Sequence, residues 1–111
     1  MPDNLEDADD VINGVEIRFM WAYTVTVPLW DEEGLLPDEP AWLHRVLGLS
    51  APMIDRLTRW GEAMKAQDAI RDPGSRERRT VREGLRRQGK ELADDLQREL
   101  GARYTVTYTW W

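Results

Sequence analysis

The side chains in this chain best suited to chemistry are carboxylates and guanidinium groups, and they lie in separate clusters. Residues 31–39 carry Asp31, Glu32, Glu33, Asp38 and Glu39, with Trp30 and Trp42 on either side. Hard divalent cations take oxygen ligands, but the run Asp31-Glu32-Glu33-Gly34 lacks the ligand spacing of an EF-hand loop. Neither a metal nor a cofactor is expected. A solvated loop suits this cluster, and so does a partner-facing acidic surface, for which there is a mechanism. Clustered carboxylates beside indole rings imitate a phosphate backbone with its bases. Such a surface fits the basic cleft of a protein partner, with charge raising the association rate and aromatic rings acting as anchors.

The second cluster has the opposite sign. Arg79, Arg82, Arg86 and Lys90 recur at spacings of 3, 4 and 4, which places them on one stripe of a helix. Segment 71–90 holds eight bases and three acids. A cationic stripe suits phosphates or an acidic protein, and it also suits a solvated helix face. The net charge of −6 argues against general affinity for nucleic acid, so nucleic acid is a third-ranked partner.

Catalytic templates fit poorly. His44 is the single histidine, and there is no cysteine. A Ser-His-Asp arrangement would need Ser50 or Ser75, but both stand at helix-cap positions without a Gly-x-Ser-x-Gly elbow. The chain is therefore not expected to be an enzyme.

These clusters must be positioned by a small set of elements. From Val15 to Leu29 every odd residue is apolar or aromatic, while the even ones include Glu16, Arg18, Thr24 and Thr26. That alternation predicts a strand with one buried face. Its length exceeds an ordinary strand, so a bend, a bulge or an end at Pro28 is expected. Asn13-Gly14 just before it is a turn signal. Asp38 is expected to cap a short helix starting near Pro40 and ending at Gly48. Ser50 caps a second helix, with the stripe Met53, Leu57, Trp60 and Met64. Asp72-Pro73-Gly74 is a turn, and Ser75 caps a third helix. Its expected core stripe is Val81, Leu85, Leu92, Leu96 and Leu100, and Gly101 ends it. Gly84 and Gly89 inside that helix weaken it, and serve either close packing or a kink.

Tyr104, Val106, Tyr108 and Trp110 then alternate with threonines in a closing strand. Its tetrapeptide Tyr104–Thr107 repeats Tyr23–Thr26, but four β-prone residues match too easily by chance to signal duplication. The predicted fold is α+β, ordered β-α-α-α-β. An N-terminal and a C-terminal strand form a small sheet, with the helices on one face. Two strands make a poor sheet. The first strand folds back on itself, the acidic arm adds a strand, or a second subunit completes the sheet.

A chain of 111 residues suits one domain. Residues 1–14 read as a disordered acidic tail and opening turn, and residues 15–111 as the domain. The charge is split: residues 1–40 hold eleven acids and one base, and residues 41–111 hold ten acids and fourteen bases. The longest uncharged stretch, Phe19–Trp30, is too short to span a bilayer as a helix. The acidic N-terminus does not look like a signal peptide, so a cytoplasmic protein without membrane contact is expected. Trp110 and Trp111 are adjacent on a strand and must face opposite ways. One of them is then a candidate for a subunit seam.

The segments Arg18-Phe-Met-Trp21, Pro28-Leu-Trp30, Leu47-Gly-Leu-Ser50 and Trp60-Gly61 resemble those of short uncharacterised actinobacterial proteins, over residues 17–62. That resemblance implies no site and no mechanism. The overall profile is small, acidic, cysteine-free and tryptophan-rich, and it is similar to that of immunity proteins of bacterial toxin systems. This similarity implies a binding protein that neutralises or regulates a basic protein partner. The contact surface would be Asp31, Glu32, Glu33, Asp38 and Glu39 with Trp30 and Trp42. The alternatives are a homo-oligomeric scaffold module joined through Trp110 and Trp111, and a nucleic-acid-associated regulator using Arg79, Arg82, Arg86 and Lys90.

Overall fold

The alternation that begins at Val15 becomes a strand over only its first few residues. In the computed structural model, which describes residues 12–69 and 74–110, β1 is Glu16–Phe19, β2 is Leu29–Trp30 and β3 is Thr105–Tyr108. Between β2 and β3 lie the helices. A short α1, Pro40–Trp42, runs directly into a π-helical turn at Leu43–Leu47. α2 is Ala51–Asp68 and α3 is Arg76–Leu100, and a 3-10 turn at Gly101–Arg103 leads into β3.

The sheet is ordered β2-β1-β3. β1 pairs antiparallel with β2, with Arg18 opposite Trp30 and Phe19 opposite Leu29. It pairs parallel with β3, from Glu16 opposite Thr105 to Phe19 opposite Tyr108. The architecture is the expected α+β one, with N- and C-terminal strands in one sheet. The third strand comes from the first run folding back on itself, as one of the three expectations had it.

The long strand expected from Val15 to Leu29 is corrected to two short ones. After Phe19 the chain leaves the ladder and returns at Leu29, closed by the Met20 amide donating to the Pro28 carbonyl at 3.2 Å. The alternation still marks the buried side. Ile17, Phe19, Trp21, Val27 and Leu29 are all buried, whether in a strand or in the connecting loop. Val15 and Tyr23 break the pattern at 64% and 68% exposure. The repeated tetrapeptide is no structural repeat, because Thr105–Tyr108 is a strand whereas Tyr23 and Thr24 form a turn.

Helix limits follow the caps. The Ser50 hydroxyl accepts from the Met53 amide at 3.2 Å, and the Ser75 hydroxyl accepts from the Arg78 amide at 3.1 Å. Gly48 closes the π-helical turn with φ 73°, a left-handed conformation that suits glycine. The expected Asp38 cap is corrected. Glu39 is the N-cap of α1 without a side-chain bond, and Asp38 instead accepts from the Thr26 amide at 2.8 Å. Of the turn expected at Asp72-Pro73-Gly74, only Gly74 lies within the described residues.

The core sits between the inner face of the sheet and the helices. Phe19 packs on Trp60, ring centroids 4.7 Å apart, and on Tyr108 at 5.4 Å. The α2 stripe Met53, Leu57, Trp60 and Met64 is buried, and so are Leu85, Leu92, Leu96 and Leu100 on α3. Each large apolar side chain so buried contributes about 1.5–3 kcal/mol relative to exposure. Val81 was expected in this stripe but is 38% exposed.

Polar side chains tie the helices together. The Trp60 indole donates to the Leu85 carbonyl at 2.8 Å. Glu99 accepts from both the amide and the hydroxyl of Ser50. Asp95 on α3 binds Arg56 on α2 and also Arg98. The hydrogen bonds from these two guanidinium groups hold the Asp95 carboxyl below its ordinary value.

Candidate functional site

The acidic turn after β2 is built by its own side chains. The Asp31 amide donates to the Gly34 carbonyl at 2.9 Å, closing a four-residue turn. Asp31 Oδ1 accepts from the Glu33 and Gly34 amides at 2.9 and 3.0 Å, the way a short carboxylate stabilises a turn. Its Oδ2 faces the other way and accepts from the Asn13 amide and the Asn13 side chain at 2.9 and 3.0 Å. Burial works to raise the Asp31 pKa, but the donors of Asn13, Glu33 and Gly34 outweigh it and bring the pKa below its ordinary value.

Glu32 completes the clamp. Its amide donates to the Asn13 carbonyl at 3.1 Å, and its Oε2 accepts from the Val15 amide at 2.9 Å. The opening turn Asn13-Gly14 is thereby fixed against residues 31–34. Gly14 has φ 83°, and any Cβ there would overlap the Glu32 carboxylate.

The result is an open hollow of about 400 Å³ lined by Glu16, Arg18, Trp30, Asp31, Glu32, Glu33 and Gly34. Four carboxylates face one guanidinium there, and Arg18 stands 3.7 Å from Glu16. Trp30 is half-buried, with its indole donating to the Met20 carbonyl at 2.9 Å. Glu16 also accepts from the Thr107 hydroxyl at 2.9 Å, which fixes it on the outer face of the sheet.

Of the residues expected to form one acidic surface, the structure brings together Trp30, Asp31, Glu32 and Glu33. Asp38 and Glu39 do not line the hollow, because Asp38 braces the loop at Thr26. Trp42 is only 7% exposed and belongs to the core, so it is not a surface anchor. Glu16 and Arg18 were missed. The polar half of the alternation contained them, and drawing β2 back beside β1 would have placed Arg18 opposite Trp30, with Glu16 on the same face of β1.

The basic stripe lies on another part of the molecule. Arg79 is exposed and donates to the Gly74 carbonyl. The Arg82 guanidinium lies 5.0 Å from the centre of the Trp110 ring, in cation–π contact. Arg86 and Lys90 face a cleft of about 390 Å³, together with Glu83, Arg87, Tyr108 and Trp110. The Tyr108 hydroxyl donates to the Arg86 carbonyl at 3.0 Å. Burial pushes the Tyr108 pKa up to about 12 although the Arg86 charge opposes it. Trp110 is half-buried at the edge of the core. Trp111, its expected neighbour at a subunit seam, lies outside the described residues, as do residues 1–11 of the expected tail.

His44 is exposed, and its Nδ1 lies 2.9 Å from the Leu49 carbonyl. A carbonyl only accepts, so Nδ1 carries the proton. Ser50 and Ser75 act as caps, far from any triad geometry. Among the described residues, no three His, Asp or Glu side chains group to hold a metal ion, and no helix is long and apolar enough to cross a membrane.

No curated protein sequence and no solved structure matches the chain. A family profile does match, described as Serratia CdiI immunity protein-like and covering residues 15–110. The match begins at the residue before β1 and ends at Trp110, so it includes every strand and helix that shapes the acidic hollow and the basic cleft. The chain belongs to the Serratia CdiI immunity protein-like family.

Proposed function

We propose that this protein neutralises a protein toxin by binding it, without chemistry of its own, and that the hollow beside β2 is the contact surface. Family membership supports a protein partner. The observation that carries the surface is the fixed order of its carboxylates. Asp31 and Glu32 are both held by main-chain donors, and Glu16 by a hydroxyl, so their charges are oriented before any partner arrives. Charge held in place this way loses little conformational freedom on binding. It also steers a basic partner toward the hollow. Trp30 supplies the apolar wall that a docking anchor needs. The mode of action is occlusion: a partner's basic cleft is filled by carboxylates and closed to its own substrate.

The test uses the toxin domain that the chain retains on an affinity column, assayed for killing of sensitive cells. Glu33→Lys should weaken binding, and Glu16→Lys with Glu33→Lys should weaken it about tenfold or more, chiefly through slower association at low salt. Glu62→Lys makes the same change of charge on the exposed face of α2 and should leave neutralisation intact. Thermal unfolding of all variants checks that the fold is kept. Equal loss from Glu62→Lys and Glu33→Lys, or no loss from the double variant, would remove the hollow from the interface.

A further inference from the structure

We infer that the cleft between α3 and β3 is a second docking site, for a short acidic segment of a protein partner. It is distinct from the acidic hollow and does not depend on the reading given above. The first observation is a gathering of cations that form no ion pair; Lys65, Arg76, Arg79 and Arg103 also form none among the described residues, but they do not line this cleft. Arg18, Arg56, Arg59, Arg78 and Arg98 each form an ion pair with a carboxylate. Arg86, Arg87 and Lys90 form none among the described residues, although they stand together at one cleft in a chain of net charge −6. Gathering three cations around the single carboxylate of Glu83 leaves an excess of positive charge, and an incoming anion relieves it.

The second observation is the shape of the cleft. Gly89 lacks the Cβ that would collide with the Tyr108 ring, so β3 lies close against α3. The Tyr108 hydroxyl is tied to the Arg86 carbonyl at 3.0 Å. Arg82 stacks on Trp110 at 5.0 Å. The floor and one wall are therefore held in place, while Arg86, Arg87 and Lys90 remain exposed on the other wall. Arginine forks bind carboxylates with two parallel hydrogen bonds. A half-buried indole offers apolar area between them.

Peptide carboxylates fit better than a nucleic-acid backbone. The cleft is about 390 Å³, room for a few side chains rather than a strand, and Glu83 stands on its lining. A nucleic-acid strand would continue beyond the cleft as a run of phosphates over a molecule of net negative charge, whereas a short peptide segment can confine its carboxylates to the three cations.

The experiment is fluorescence anisotropy on the full chain with three labelled probes. These are a synthetic peptide alternating Asp and Glu with Leu, the same peptide with Lys in place of the acids, and a short single-stranded DNA. The acidic peptide should bind, more weakly as salt rises. Arg86→Glu with Lys90→Glu should cut its affinity about tenfold, since two attractive charges become repulsive. Arg86→Lys with Lys90→Arg keeps the charges and should stay within about threefold of wild type, a difference below 1 kcal/mol. Both positions are exposed, so circular dichroism melts should be unchanged. Absence of acidic-peptide binding would overturn the proposal, and so would binding indifferent to the double reversal. Tighter binding of the DNA through the same two residues would overturn the peptide assignment in favour of nucleic acid.

Discussion

Asp31 shows how one side chain serves both fold and surface. Its two oxygens take four donors, from Asn13, Glu33 and Gly34, and so join the opening turn to the turn after β2. Asp31→Ala should cost about 1 kcal/mol, at the lower end for several lost bonds because the turn is half-exposed. The Asp31 carboxyl is held below its ordinary value in the fold. Its contribution is therefore complete above the unfolded carboxylate pKa of about 3.9, and is lost as pH falls through the lower folded value. Urea midpoints across acidic pH should show the gap between wild type and Asp31→Asn closing as pH falls through that lower value. A gap of constant size at every pH would mean that Asp31 acts in some other way. The acidic cluster itself was plain in the sequence. Its division into clamping and free carboxylates was not, because that depends on which main-chain amides come within reach. Trp42 illustrates the same limit: composition alone does not tell an anchor in water from one in the core.

At the level of elements, the sequence announced boundaries better than pairings. Ser50, Ser75, Gly48 and Gly101 were legible because cap chemistry is local, confined to a residue and its next three amides. The fifteen-residue alternation was legible as a buried face but not as a strand. Period-two burial continues through a loop whenever the core continues beneath it, as it does at Trp21 and Val27. The two helical glycines that looked alike in sequence, Gly84 and Gly89, also differ, since Gly84 has open space around it. Gly84→Ala should stabilise α3 by about 0.5–1 kcal/mol, by removing backbone freedom from the unfolded chain. Gly61→Ala should do the opposite. A Cβ there overlaps the Thr26 carbonyl, a backbone group that cannot turn aside. A loss of about 1–3 kcal/mol is expected, from displacement of the loop that Asp38 braces. Chemical denaturation of the two variants measures both. A neutral Gly61→Ala would show that the loop moves freely and that α2 does not pack against it.

Across the whole molecule, the division of charge along the chain becomes a division in space. The acidic N-terminal part contributes the hollow at β1 and β2, and the basic C-terminal part contributes the cleft at α3 and β3. That polarity was legible because both clusters are contiguous in sequence. The addition of Glu16 and Arg18 to the hollow was not, because it needs the long-range pairing of Arg18 with Trp30. The most direct test of the account is amide hydrogen exchange on the chain, free and bound to its toxin partner. Binding at the hollow predicts slower exchange at residues 13–18 and 30–34, with the exposed side of α2 unchanged. Protection confined to other segments, with residues 30–34 exchanging as in the free protein, would contradict it.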